Sequence, residues 1–193
     1  MPEILAAPLR TALADLSRWL DAEKVPGVII GGIAASVLGR PRLTRDIDAL
    51  TILPEDEWQR VVDSSARYGI EARIDDALEF ARRSRVLLLR HVASGIDLDI
   101  TFGGLDFERS AVESALDLEI GGISIRLPRV EDLLVMKAVA GRPKDLEDIR
   151  GLLDAHPEAD CEEARRWIRE FATAASMPDL LSQFEKLLQE RKI

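Results

Sequence analysis

Asp46 and Asp48 stand two apart in the run Arg45-Asp-Ile-Asp-Ala-Leu-Thr51. In a strand, successive side chains point to opposite faces, so these two carboxylates project together while Ile47 and Ala49 turn the other way. Like charges a few ångströms apart raise each other's pKa, and a divalent cation between them relieves the repulsion. Upstream, Gly31-Gly32 interrupts a short apolar run at 28–30 and leads into small and apolar residues that read as helix as far as Gly39. The first N–H groups of such a helix, with the positive end of its dipole, attract phosphate. Paired carboxylates for a metal ion beside a glycine turn for phosphate point to a nucleoside triphosphate.

Other chemistries are poorly supplied. The single cysteine, Cys161, excludes an internal disulfide and a cysteine-based zinc cluster. His91 and His156 are too few for a multi-histidine metal site, and neither has an evident Ser or Cys partner for a hydrolase triad. Any metal is therefore expected to be a hard, oxygen-liganded ion such as Mg²⁺, with Mn²⁺ able to replace it. The glycine-rich motifs G-x-x-x-x-G-K-[ST] and G-x-G-x-x-G are both absent. Asp97 and Asp99 add a second acid-x-acid pair in the alternating stretch 96–102, again sharing one strand face, and geometry alone does not choose between them.

Gly31-Gly32, then Arg42, Thr44 and Asp46-Ile47-Asp48, resembles the signature of the polymerase-β-type nucleotidyltransferase superfamily. Gly-Gly-x-Ala with the Arg-x-Thr-x-Asp-Ile-Asp loop is more closely similar to the branch containing the AbiEii-type toxins of bacterial toxin–antitoxin systems. Residues 95–115 resemble the strand that carries the superfamily's third carboxylate and the helix after it, and 128–149 resemble that branch's helix pair. The resemblance spans about 25–153 and leaves out both ends. Gly32 replaces the Ser that many superfamily members place after the first Gly, which leaves the phosphates to backbone N–H groups.

The resemblance implies that Asp99 is the third carboxylate, with Asp97 in reserve. It implies metal binding by Asp46, Asp48 and Asp99, and a phosphate contact for Lys137; Gly31 and Gly32 would take the triphosphate and Arg45 would serve as a second phosphate clamp. The reaction implied is Mg²⁺-dependent transfer of an NMP from an NTP to an acceptor hydroxyl, for the related toxins often on tRNA or other RNA, with an antitoxin protein as a further partner. Two competing readings are a catalytically inactive protein that binds only a nucleotide or a partner, and an RNA-binding module whose acidic cluster is incidental.

These residues need elements to hold them. Leu5, Leu9, Leu13, Leu16 and Leu20 recur at helical spacing over 4–23. Pro54 and the acids after it open a helix expected to run to Arg67 and close at Gly69. A short strand at 69–74, a helix at 75–83, and a hairpin of 86–93 with 96–102 turning at Ser94-Gly95 follow. Next come a helix at 107–115, a hairpin around Gly121-Gly122, and helices at 129–140, 144–155, 161–175 and 180–192. The fold expected is α/β (α+β): a nucleotidyltransferase-like mixed sheet flanked by helices in 1–127, then a C-terminal helical region in 128–193. Asp145 and Asp148 are expected to be structural first-turn acids, salt-bridged to the basic loop.

With 193 residues, 47% hydrophobic and 32% charged, the chain is globular and long enough for a real core. A formal charge of −9 argues against nucleic-acid binding over the whole surface, although Arg40, Arg42 and Arg45 make one loop locally basic. No apolar run reaches the roughly 18 residues of a membrane helix, and residues 1–10 do not resemble a signal peptide, so no membrane partner and a cytoplasmic location are expected.

Overall fold

The computed structural model describes residues 5–190, which fall into two compact units. The first comprises the chain up to Ile33 together with Leu43–Pro128; the second comprises Ala34–Arg42 and the chain from Arg129 onward.

The first unit is built on a mixed sheet. In chain order come α1 (Ala7–Ala22), β1 (Gly27–Ile29), α2 (Gly31–Leu38), which runs on into the second unit, and β2 (Asp46–Thr51). Then follow α3 (Trp58–Ser64), β3 (Ile70–Ala72), α4 (Ala77–Ser84), β4 (Val86–His91), β5 (Ile96–Phe102) and α5 (Asp106–Glu113). The sheet order is β1-β2-β5-β4-β3, with β2 and β5 parallel and the other neighbours antiparallel. A separate hairpin pairs β6 (Leu116–Ile120) with β7 (Ile123–Leu127). Its turn needs positive φ at both Gly121 and Gly122.

Alternation in the sequence becomes two unlike sheet faces. Ile47, Ala49, Leu87, Leu89, Leu98 and Ile100 are buried on one side. Helix α1 covers apolar surface of the same unit with Leu13, Leu16 and Trp19, and the Trp19 Nε1–H donates to Ser64 Oγ at 2.9 Å. Burying aliphatic side chains of this size contributes roughly 1.5–3 kcal/mol each. Asp46, Asp48, Asp97 and Asp99 stand on the other face, where burial is incomplete.

The expected helices correspond to observed ones with shifts at the ends. Ile4, where the first was expected to begin, and Lys192, where the last was expected to end, lie outside the described residues. The segment expected as one helix from Pro54 to Arg67 is divided: 3₁₀ turns at Glu55–Glu57 and Ser65–Tyr68 flank α3. The Ser64 hydroxyl donates to Val61 O and that of Ser65 to Ile70 O, which favours tight turns over a continued helix, and Gly69 closes it at φ 68°.

The second unit is helical. The C-terminal half of α2 joins α6 (Val130–Ala140), α7 (Pro143–Ala155), α8 (Cys161–Ala174) and α9 (Asp179–Glu190). Gly141 ends α6 in the left-handed region and Pro143 opens α7, where a missing N–H costs nothing. Asp160 caps α8 by accepting from Glu162 N and Glu163 N at 3.0 and 3.1 Å. Among the described residues no helix is long and apolar enough to cross a membrane.

Candidate active site

Parallel pairing of β2 with β5 sets Asp46 opposite Asp97 and Asp48 opposite Asp99. Register partners project from the same side of a sheet, so the four carboxylates gather on one face. The turn at Gly31 lies beside them: Ile30 N–H donates to Asp48 O at 2.9 Å, and the Asp48 side chain packs against Gly31. Thr44, in the Arg-x-Thr-x-Asp loop, donates from its hydroxyl to Asp46 Oδ1 at 2.9 Å and so orients that carboxylate.

Two arginines meet this acidic face. Arg90 Nε is 2.7 Å from Asp97 Oδ1, and Arg73 forks across both later carboxylates, with Nη1 2.7 Å from Asp97 Oδ2 and Nη2 2.8 Å from Asp99 Oδ1. The two acids differ as a result. The hydrogen bond from Arg90, against some desolvation and with help from Arg73, holds the Asp97 carboxyl below the usual carboxylate range. Burial pushes Asp99 up; Arg73 opposes this, and the charges of Asp46 and Asp97 add to it. Sequence reasoning missed Arg73 altogether.

The donor set suits a hard divalent ion, since it consists of carboxylate oxygens whose mutual repulsion a cation would relieve. Among the described residues no three His, Cys, Asp or Glu side chains are arranged to hold a metal ion as they stand; the cation at Asp97 and Asp99 is Arg73.

The remaining residues singled out by sequence fall elsewhere. Arg45 is exposed in the loop before β2. Lys137 belongs to the second unit and is 3% exposed, with Nζ 3.1 Å from Asp145 Oδ1 and 2.7 Å from Asp148 Oδ2. A phosphate contact for Lys137 would compete with both pairs. Arg42, in the same unit, binds Asp148 in a two-pronged arrangement at 2.7 and 2.9 Å, the bridge to the basic loop expected for that acid. Burial acts against the charges of Asp145 and Asp148, but hydrogen bonds from Arg142 and Lys137 to the first, and from Arg42 and Lys137 to the second, hold both below the usual carboxylate range.

His91, expected to lack a Ser partner, has one. Its Nδ1 is 2.7 Å from Ser94 Oγ and its Nε2 is 2.9 Å from Asp15 Oδ2. Ser94 sits in the turn directly after His91's own strand, and its Oγ also accepts from Ile96 N at 3.3 Å, so the array ties that turn and α1 to β4.

Residues 9–180 match the family described as "Nucleotidyl transferase of unknown function (DUF2204)". The match covers most of the chain, and the chain belongs to that family; it is a nucleotidyltransferase. No curated protein matches it. Among solved structures, an antigenic nucleotidyltransferase-like protein from Paracoccidioides brasiliensis is similar over 95% of this chain and 92% of its own, at 19% identity and TM-score 0.53. The antibiotic-resistance factor ANT(2″)-Ia is similar over 88% and 95%, at 15% identity and TM-score 0.59. The lincosamide antibiotic adenylyltransferase LnuA is similar over 72% and 93%, at 17% identity and TM-score 0.52. These three likenesses establish the nucleotidyltransferase-like fold.

Proposed function

We propose that the chain moves a nucleoside monophosphate from a nucleoside triphosphate to an acceptor hydroxyl, and that the aspartate face of its sheet is the reacting centre. One observation supports this above the others: Asp48 pairs with Asp99, and Asp46 with Asp97, beside the turn at Gly31. Asp46, Asp48 and Asp99 would hold Mg²⁺, with Mn²⁺ as a substitute. Such an ion neutralises charge on the triphosphate and polarises the α-phosphoryl group.

The chain's own residues supply the rest. The Gly31-Gly32 turn, at the start of α2, receives the phosphates, and the exposed guanidinium of Arg45 clamps them. The acceptor oxygen bonds to the α-phosphorus as the α–β bridging bond breaks, and pyrophosphate leaves. Asp99 either ligates the ion or takes the hydroxyl proton, the second role requiring it within hydrogen-bond reach of the acceptor. Asp97, held by two guanidinium groups, is less suited to either task.

For the acceptor, the resemblance to the AbiEii-type branch favours RNA, and tRNA within it, with toxicity and a cognate antitoxin protein as corollaries. The test is to incubate the protein with each labelled NTP and Mg²⁺ in the presence of total RNA, total protein or hydroxyl-bearing small molecules, the last because LnuA acts on a lincosamide. Label on RNA, lost in Asp48→Ala, is the expected result. Label on a small molecule would replace the acceptor. NTP binding without any transfer, unchanged in Asp48→Ala, would leave a binding-only member of the family.

A further inference from the structure

Two rows of side chains cross the aspartate face. Glu71 of β3, Arg90 of β4, Asp97 of β5 and Asp46 of β2 are successive register partners in one. In the other, Leu88, Asp99 and Asp48 are partners, and Arg73 joins the β4 end of the row through its N–H, which donates to Leu88 O at 3.0 Å. The two arginines reach the acids differently. Arg90 is the direct register partner of Asp97, whereas Arg73 follows the last residue of the edge strand β3, in the bend before α4, and extends over Leu88 to β5.

Asp97 therefore has two guanidinium partners and Asp99 has one among the described residues. Loss of the Arg73 side chain would leave Asp97 still paired with Arg90 and Asp99 with none of these. A planar guanidinium offers two separate nitrogens to two acceptors at once, which is the arrangement seen here, whereas Lys has a single nitrogen to divide between them. Because the backbone of Arg73 is anchored by its own bond to Leu88 O, its side chain can swing off Asp99 without unpairing β3 from β4.

Resting on the transfer reading above, the geometry points to Arg73 as a resident counter-cation that neutralises Asp99 in the metal-free protein and must release it before a divalent ion can be held by Asp46, Asp48 and Asp99. A guanidinium at 2.8 Å from Asp99 Oδ1 and a divalent ion on the same carboxylate would repel each other across a few ångströms. Asp97 stays available to the displaced guanidinium, since Nη1 already holds it. Two consequences follow. The metal-free site keeps its carboxylates together without an ion, and the apparent affinity for the ion is reduced by the fraction of molecules in which Asp99 is still engaged. Arg73 is thus a positioning residue acting through Asp99.

The test uses Mn²⁺ alone as probe, with free ion followed by electron paramagnetic resonance and no nucleotide present. Arg73→Gln should bind Mn²⁺ about tenfold more tightly than wild type, and Arg73→Lys, which keeps the charge without the fork, should fall between them. In EDTA the melting temperature of Arg73→Gln should drop below that of wild type, and saturating Mn²⁺ should raise it by more than it raises wild type. If Arg73→Gln does not hold its fold in EDTA, Arg73→Lys carries the same comparison. Affinity unchanged or weakened in both Arg73 variants, with Mn²⁺ binding still lost in Asp48→Asn, overturns the counter-cation and leaves the transfer reading standing. Mn²⁺ binding absent from wild type and Arg73→Gln alike, or indifferent to Asp48→Asn, overturns the site itself and the counter-cation with it.

Discussion

The carboxylate of Asp48 fills the space that a side chain at position 31 would need: a β-carbon on Gly31 would stand 1.9 Å from Asp48 Oδ2. Gly31 also has φ 63°, a region L-residues enter at a cost. Gly31→Ala should therefore lose about 2–4 kcal/mol, part from backbone strain and part from crowding. Urea denaturation of Gly31→Ala, Asp48→Ala and the double variant separates the two. The crowding component should shrink once Asp48 is cut back to its β-carbon, which would still stand 2.8 Å away, giving a coupling energy, and additive losses would show that the approach of the carboxylate has no energetic weight.

Asp97 and Asp99 should part company in turnover. Asp99→Asn is expected to slow NMP transfer about a hundredfold or more, the usual scale for removing a general base. Asp97→Asn, which disturbs a carboxylate already committed to Arg90 and Arg73, should stay within about tenfold of wild type. Rates measured at saturating NTP and Mg²⁺ decide it, and equal losses would mean that the two acids share one task.

Lys137 should behave as a structural cation. It is buried against Asp145 and Asp148, so Lys137→Met strands two acids with only Arg142 and Arg42 to compensate. The expected loss is about 3–5 kcal/mol, the range for breaking a buried pair by removing one partner. Chemical denaturation without nucleotide measures it. Unchanged stability with a raised KM for NTP would return Lys137 to the phosphates.

Acid should loosen the same cluster. Asp145 and Asp148 have carboxyl pKa values below their unfolded ones, so the folded state binds protons less readily than the unfolded chain. Their contribution is complete above the ordinary carboxylate value of about 3.9 and disappears as pH falls through the lowered folded values. Denaturation midpoints between about pH 5 and pH 2 should fall for wild type and fall less for a variant carrying Asp145→Asn and Asp148→Asn together.

The aspartate pairs were legible because a strand repeats every two residues, and Ser94-Gly95 announced the β4–β5 hairpin by its turn chemistry. What set the site apart was less visible. Arg73 reaches the acids only because β3 lies beside β4 at the sheet edge, a consequence of non-local register with no trace in the residues around it. The burial of Lys137, expected only to contact phosphate, was not legible because its partners come from the following helix, and charged residues are seldom buried unless paired. Ser94 stood three residues from His91 in plain view, whereas Asp15 joins them from a distant helix.

The chain passes from one unit to the other within α2, returns at Leu43, and crosses again after Pro128. Segment 34–42 is consequently made early, during synthesis, while its companions are made late: His156 Nε2 meets Leu38 O at 2.6 Å, and Gly39 fits closely against Gly151 and Leu152. A ribosome that has finished the last strand has still not supplied what this stretch rests on. Cutting the gene after codon 128 would therefore strip that stretch of its support, and neither half is obtainable as one uninterrupted polypeptide.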